Sequence, residues 1–148
     1  DLTIYNVGIY VRLSKDDERA GESLSIENQK LILTKYVKEQ GWNITDIYVD
    51  DGFSGTSFDR PAFQQMMEDA RSGKINCIIV KDLSRFGRTY IESGNYIETI
   101  LPFLGIRFIS VNDHFDSDEG FNQNKSLEIS LKNLVNEMYA KDISKKIK

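Results

Sequence analysis

Apolar positions along this chain follow two alternating rhythms. Val7, Ile9 and Val11 fall on one face of an extended run, with Tyr10 between them on the other. That period of two predicts a strand at residues 4–11, and runs of the same kind predict strands at 44–50, 76–80 and 107–111. Between them lie patterns of helical period, at 25–39, 61–72 and 90–104, with a long one from about Lys125 to the end. Punctuation supports the boundaries. Ser25 fits an N-cap and Gly41 a C-terminal stop; Pro61 fits the first position of the second helix and Gly73 its close.

Strand–helix alternation at this spacing predicts an α/β fold. The expected architecture has three layers: a mostly parallel sheet of about four to five strands, flanking helices and a long C-terminal helix. The α/β core would occupy residues 1–124 and the terminal helix 125–148. Leu127, Leu131, Leu134 and Met138 recur at steps of three and four, making an apolar stripe along that helix. The stripe must fold back on its own sheet or pack on a second subunit. Two polar loops stand out: 51–61, with two glycines, read as mobile, and 112–124, which separates the fourth strand from the last helix.

A length of 148 residues suits one domain with a genuine core. One cysteine, Cys77, lies within the apolar run CIIV and reads as a buried thiol. No apolar stretch is long enough to span a bilayer and no signal peptide precedes the first strand, so a cytoplasmic protein without membrane contact is expected. The net charge of −4 argues against the whole domain being a tight nucleic-acid binder. The charge is uneven: from Lys125 onward six lysines face Glu128, Glu137 and Asp142, giving +3 and leaving about −7 elsewhere.

In α/β sheets, ligands collect at the carboxyl ends of the strands. The first strand delivers Arg12 and Ser14 there, two residues apart and therefore on one face. The second feeds the loop that carries Arg60, and the third leads into KDLSRFGR, with Lys81, Asp82, Ser84, Arg85 and Arg88. Taken singly, Arg12 could be a surface charge, Ser14 a turn residue and SRFGR a solvated basic turn. Taken together, four arginines and a serine at one end of a sheet point to phosphate. Attack on a phosphodiester adds negative charge to the non-bridging oxygens, which planar guanidinium groups bind in pairs. The same positive field favours the ionised form of a neighbouring serine, making a weak nucleophile competent.

YVRLS, SIENQ, DGFSGTSFDRP and KDLSRFGR, in this order, resemble the catalytic domain of the serine recombinases, the resolvase/invertase family. DLSRFGRTYIESGNYIE and NEMYAKDISKKIK resemble its large recombinase branch, which includes transposases and integrases of mobile elements. The resemblance implies that Ser14 is the nucleophile, forming a 5′-phosphoserine link to DNA and leaving a free 3′ hydroxyl. It implies further that Arg12, Arg85 and Arg88 surround the scissile phosphate, that Arg60 reaches in from its loop, and that Gln29 is a polar active-site residue. No metal or other cofactor would be needed. The partners implied are DNA, a homodimer and a synaptic homotetramer, with strands exchanged by rotation and then religated; the family's separate DNA-binding domains find no counterpart in this sequence. One departure matters: Ser84 stands where small resolvases carry an aspartate just before the first arginine, and the proton donor to the leaving oxygen is unassigned.

Three other readings compete. A metal-dependent nuclease or topoisomerase-like domain could use Asp50, Asp51, Asp82, Asp113, Asp116 and Asp118, all of which follow strands. In that case the first strand should deliver an acidic ligand, and it delivers Arg12 and Ser14 instead. A non-enzymatic phosphate-ligand module would be expected to carry a glycine-rich phosphate fingerprint, and neither common form occurs. A purely structural oligomerisation domain leaves the arginines unexplained. His114, the single histidine, lies in a polar loop and is given no role.

Overall fold

The computed structural model describes residues 3–13, 26–52, 59–87 and 93–117. Strand β1 (Asn6–Leu13) leads through helix α1 (Ile26–Gln40) to β2 (Asn43–Asp51), and α2 (Pro61–Arg71) leads to β3 (Cys77–Val80). A single turn, α3 (Leu83–Phe86), follows, then a π-helical segment (Asn95–Ile100) continuous with α4 (Leu101–Leu104). The chain ends its described part with β4 (Arg107–Ser110) and β5 (Phe115–Asp116). The sheet has the order β2-β1-β3-β4-β5, parallel from β2 to β4, with β5 antiparallel at the edge.

The three-layer expectation holds. Val7, Ile9 and Val11 on one sheet face meet Leu33 and Val37 of α1, along with Cys77, Ile79 and Ile109. Tyr10, Ile78, Val80 and Phe108 on the other face pack under Phe63, Met66 and Met67 of α2 and Ile97 and Leu101 beyond α3. β1 lies between β2 and β3 and is buried along nearly its whole length. Gly8 lies on the second face at a shift in the β1–β2 register, where a Cβ would come within 2.8 Å of Ile75 Cδ1 and 3.0 Å of Tyr48.

Local signals terminate the helices as read. Gly41 and Gly73 take left-handed φ values of 78° and 84° and stop α1 and α2. Pro61 opens α2. The third predicted helix is less regular: Pro102 cannot donate to the carbonyl of Glu98 and would crowd it, and the chain passes this point as a wide π-turn.

Three expectations change. β1 runs on to Leu13, so Arg12 lies inside the sheet rather than emerging at its edge. The polar loop after β4 is not all loop: it turns at 111–114 and returns as β5, with His114 exposed and at a positive φ of 55°. Arg60, expected on a polar loop, is buried and hydrogen-bonded immediately before α2; residues 53–58 of that loop lie outside the described residues. The predicted terminal helix at 125–148, its apolar stripe and the cap at Ser25 lie outside the described residues.

Candidate active site

From β1 the chain travels one way through α1 to β2, and from β2 it crosses over β1 to β3 on the other side. The carboxyl ends of β1 and β3 therefore flank a topological switch point, where the connections diverge and leave a crevice. Arg12 is the last residue but one of β1, and α3 stands just past the end of β3. Leu83 and Phe86 bury their apolar side chains in the core, which anchors α3 and carries Arg85 with it.

Arg12 and α3 clasp one another. Arg12 is wholly buried; its Nε donates to the carbonyl of Arg85 at 3.2 Å and its Nη2 to the carbonyl of Ser84 at 2.6 Å. In return, Nη1 of the buried Arg85 donates to the carbonyl of Arg12 at 3.4 Å. Gln29, buried on α1, donates its Nε2 to the same Arg12 carbonyl at 3.1 Å. Two side-chain donors thus fix the main chain two residues before Ser14. A surface-charge reading of Arg12 is excluded.

Arg60 joins from the other side. Its Nη1 donates to the Tyr10 hydroxyl at 2.8 Å and to the carbonyl of Arg85 at 3.2 Å, and its Nη2 to the carbonyl of Phe86 at 2.6 Å. The guanidinium carbon lies 5.0 Å from the centre of the Phe63 ring and 5.5 Å from that of Tyr10, within cation–π range. Tyr10 passes its own proton donor to Asp50 Oδ2 at 2.8 Å. Asp50 also accepts from the N–H groups of Ala62 and Phe63, at 2.9 and 3.0 Å, and so caps α2 from the end of β2. Burial pushes the Tyr10 phenol above the ordinary tyrosine range, with Asp50 adding to the shift and Arg60 opposing it. Burial lowers Arg60 as well, against the pull of Tyr10 and Asp50.

Tyr10 and Asp50 are members of this network that the sequence reading missed as partners of the arginines. Their only signals are a polar-tipped aromatic in an apolar strand and an aspartate at a strand end. The structure brings together Arg12, Gln29, Arg60 and Arg85; Ser14 and Arg88 lie outside the described residues. Ser84 donates its hydroxyl to Asp82, whose carboxylate also lies 3.7 Å from Arg85 Nε and 3.9 Å from Lys81 Nζ.

The described carboxylates do not converge as a metal cage would require. Asp50 caps α2, Asp113 accepts from the N–H of Leu83 at 2.7 Å, and Asp116 pairs with Arg107. Among the described residues no three histidine, cysteine, aspartate or glutamate side chains are grouped to hold a metal.

The family model described as resolvase, N-terminal domain, matches residues 7–148 of this chain. The chain belongs to the resolvase family. The solved N-terminal catalytic domain of TP901-1 integrase superposes on this resolvase domain with a TM-score of 0.74 and 29% identity, over 92% of the chain and 97% of that domain. A resolvase family site-specific recombinase from Streptococcus pneumoniae gives 0.67 and 30% identity, over 99% and 100% of the two chains. A putative DNA recombinase of Bacillus subtilis (strain 168) is 34% identical over 115 residues, 77% of this chain but 22% of that protein's length. This resolvase domain is the catalytic domain of a site-specific recombinase of the serine type.

Proposed function

We propose that the domain cleaves a DNA phosphodiester with Ser14 as nucleophile. The observation that carries this reading is the clasp on Arg12: the strand that leads to Ser14 is fixed by Gln29 and Arg85 beside the buried guanidinium groups of Arg12 and Arg60. Ser14 Oγ attacks phosphorus, the bond from phosphorus to the 3′ oxygen breaks, and a 5′-phosphoserine forms. The hydroxyl proton leaves Oγ, and a proton reaches the departing 3′ oxygen. Arg12, Arg85, Arg88 and Arg60 stabilise the charge gathering on the non-bridging oxygens, and Gln29 holds the strand end. The phosphoserine retains the bond energy, so a 3′ hydroxyl of a partner strand attacks it and restores the diester without ATP.

The substrate is duplex DNA at a defined crossover site, in keeping with a mobile-element recombinase, and the working assembly is a homodimer pairing into a synaptic homotetramer. The apolar stripe at Leu127, Leu131, Leu134 and Met138 supports subunit contact, and the lysines at 141, 145, 146 and 148 support approach to the DNA backbone.

The test is a covalent-adduct assay on DNA nicked near the crossover so that religation fails. Wild-type protein is expected to give a protein–DNA band that resists denaturant. Ser14→Ala is expected to lose it completely while retaining DNA affinity. An adduct of undiminished yield in Ser14→Ala refutes the assignment.

A further inference from the structure

We propose that Asp113, in the turn between β4 and β5, is a positioning residue for the arginine site, acting through α3. The proposal rests on the recombinase reading for its catalytic consequence, though its structural part stands alone.

α3 is a single turn of four residues, too short to hold its shape by its own hydrogen bonds. Its first N–H groups need acceptors from elsewhere. The residue at its N-cap is Asp82, yet that carboxylate makes no capping bond: it accepts from the Ser84 hydroxyl and faces Arg85 and Lys81. The missing cap comes from thirty residues away. Asp113 Oδ2 accepts from the N–H of Leu83 at 2.7 Å.

The same oxygen accepts from the hydroxyl of Ser110 at 2.7 Å, and Ser110 is the buried last residue of β4. The turn is fastened to the end of β3 by main-chain bonds as well, from Val111 to Val80 at 3.0 Å and from Asn112 to Lys81 at 2.8 Å. Asp113 is therefore set by the sheet and in turn sets α3. The carbonyls of Ser84 and Arg85 receive Arg12, and those of Arg85 and Phe86 receive Arg60. A chain of contacts runs from β4 through Asp113 and Leu83 to two guanidinium groups, although Asp113 touches neither. A drift of α3 by one ångström would spoil all four bonds together, because hydrogen bonds weaken steeply with length and angle.

The arrangement makes a definite demand on chemistry at position 113: one oxygen that accepts from two donors. Asparagine can meet it with its amide oxygen; alanine cannot.

The experiment follows the Arg12 Nε–H signal in protein labelled with ¹⁵N-arginine, alongside single-turnover adduct formation and DNA affinity. Asp113→Ala is expected to speed hydrogen exchange at Arg12 Nε by about tenfold and to slow adduct formation by about as much, with DNA affinity unchanged. Asp113→Asn should restore both to within about twofold of wild type. Ser110→Ala is nearly isosteric and removes one of the two donors; it should shift the Arg12 signal the same way by a smaller factor, which keeps the question open to measurement if Asp113→Ala does not fold. An Arg12 signal unchanged in Ser110→Ala and in any folded Asp113→Ala overturns the proposal, as does an Asp113→Asn as damaged as alanine. A wild-type protein that forms no adduct would remove the cleavage reading, while the Arg12 signal would still decide the role of Asp113.

Discussion

Arg60 keeps a guanidinium in the protein interior because its surroundings suit it: two carbonyls, a phenol oxygen and the faces of two aromatic rings. The phenol is the weak point, since Tyr10 both accepts from Arg60 and donates to Asp50. Removing its hydroxyl leaves two charged groups each short of a partner. Tyr10→Phe is therefore expected to destabilise the fold by about 1.5–3 kcal/mol, the range for hydrogen bonds to charged groups. The pH dependence has a definite sign. The folded-state phenol is raised above its unfolded value, so the neutral form favours folding. That stability is complete below about pH 10 and is lost as the pH rises beyond it. Tyr48, raised for the same chief reason of burial, adds to the alkaline loss. Urea melts from pH 8 to 11 should show a lower midpoint for Tyr10→Phe at pH 8 and a shallower decline above pH 10. An unchanged alkaline slope would show that Tyr10 does not contribute.

At the scale of elements, β1 passes Ile75 and Tyr48 at Gly8 with no room for a methyl group. Gly8→Ala should cost about 1–3 kcal/mol, the usual penalty for overpacking a filled core. Ile75→Val removes the Cδ1 that the new Cβ would strike, so the double variant should lose less than the sum of the two single losses. Thermal melts of the four proteins measure this; strict additivity would mean that the clash is relieved elsewhere. The parallel strands and the ends of α1 and α2 were legible in the sequence because apolar period, Gly41, Pro61 and Gly73 act locally. β5 was not, because two residues in a polar loop become a strand only by pairing with β4. The extent of β1 was also hidden: Arg12 reads as an end to an apolar run, yet carbonyls from α3 let it continue in the buried sheet. The convergence of Arg12, Arg60 and Arg85 could be inferred from strand ends, whereas the Tyr10–Asp50 link joins positions forty residues apart with no shared pattern.

For the whole molecule, the charge and the site point in different directions. The chain carries a net −4, yet the crevice at the ends of β1 and β3 gathers guanidinium groups. Recognition of a DNA site by this domain alone should accordingly be weak, and in the proposed mechanism the arginines supply the charge stabilisation for cleavage. Among the described residues no helix is long and apolar enough to cross a membrane. Since the guanidinium groups can provide the charge stabilisation that divalent ions provide in other nucleases, adduct formation is expected to proceed at an undiminished rate in excess EDTA. A strict requirement for added magnesium or manganese would restore the carboxylate reading. The way the arginines are held has a consequence for how the protein can vary. Their acceptors at Ser84, Arg85 and Phe86 are main-chain oxygens, which every amino acid possesses. The side chain at 84 can therefore drift without releasing Arg12, which leaves that position open to change during divergence. What the site cannot tolerate is an altered backbone path, so proline within α3 would be far more damaging than any exchange of side-chain polarity at Ser84.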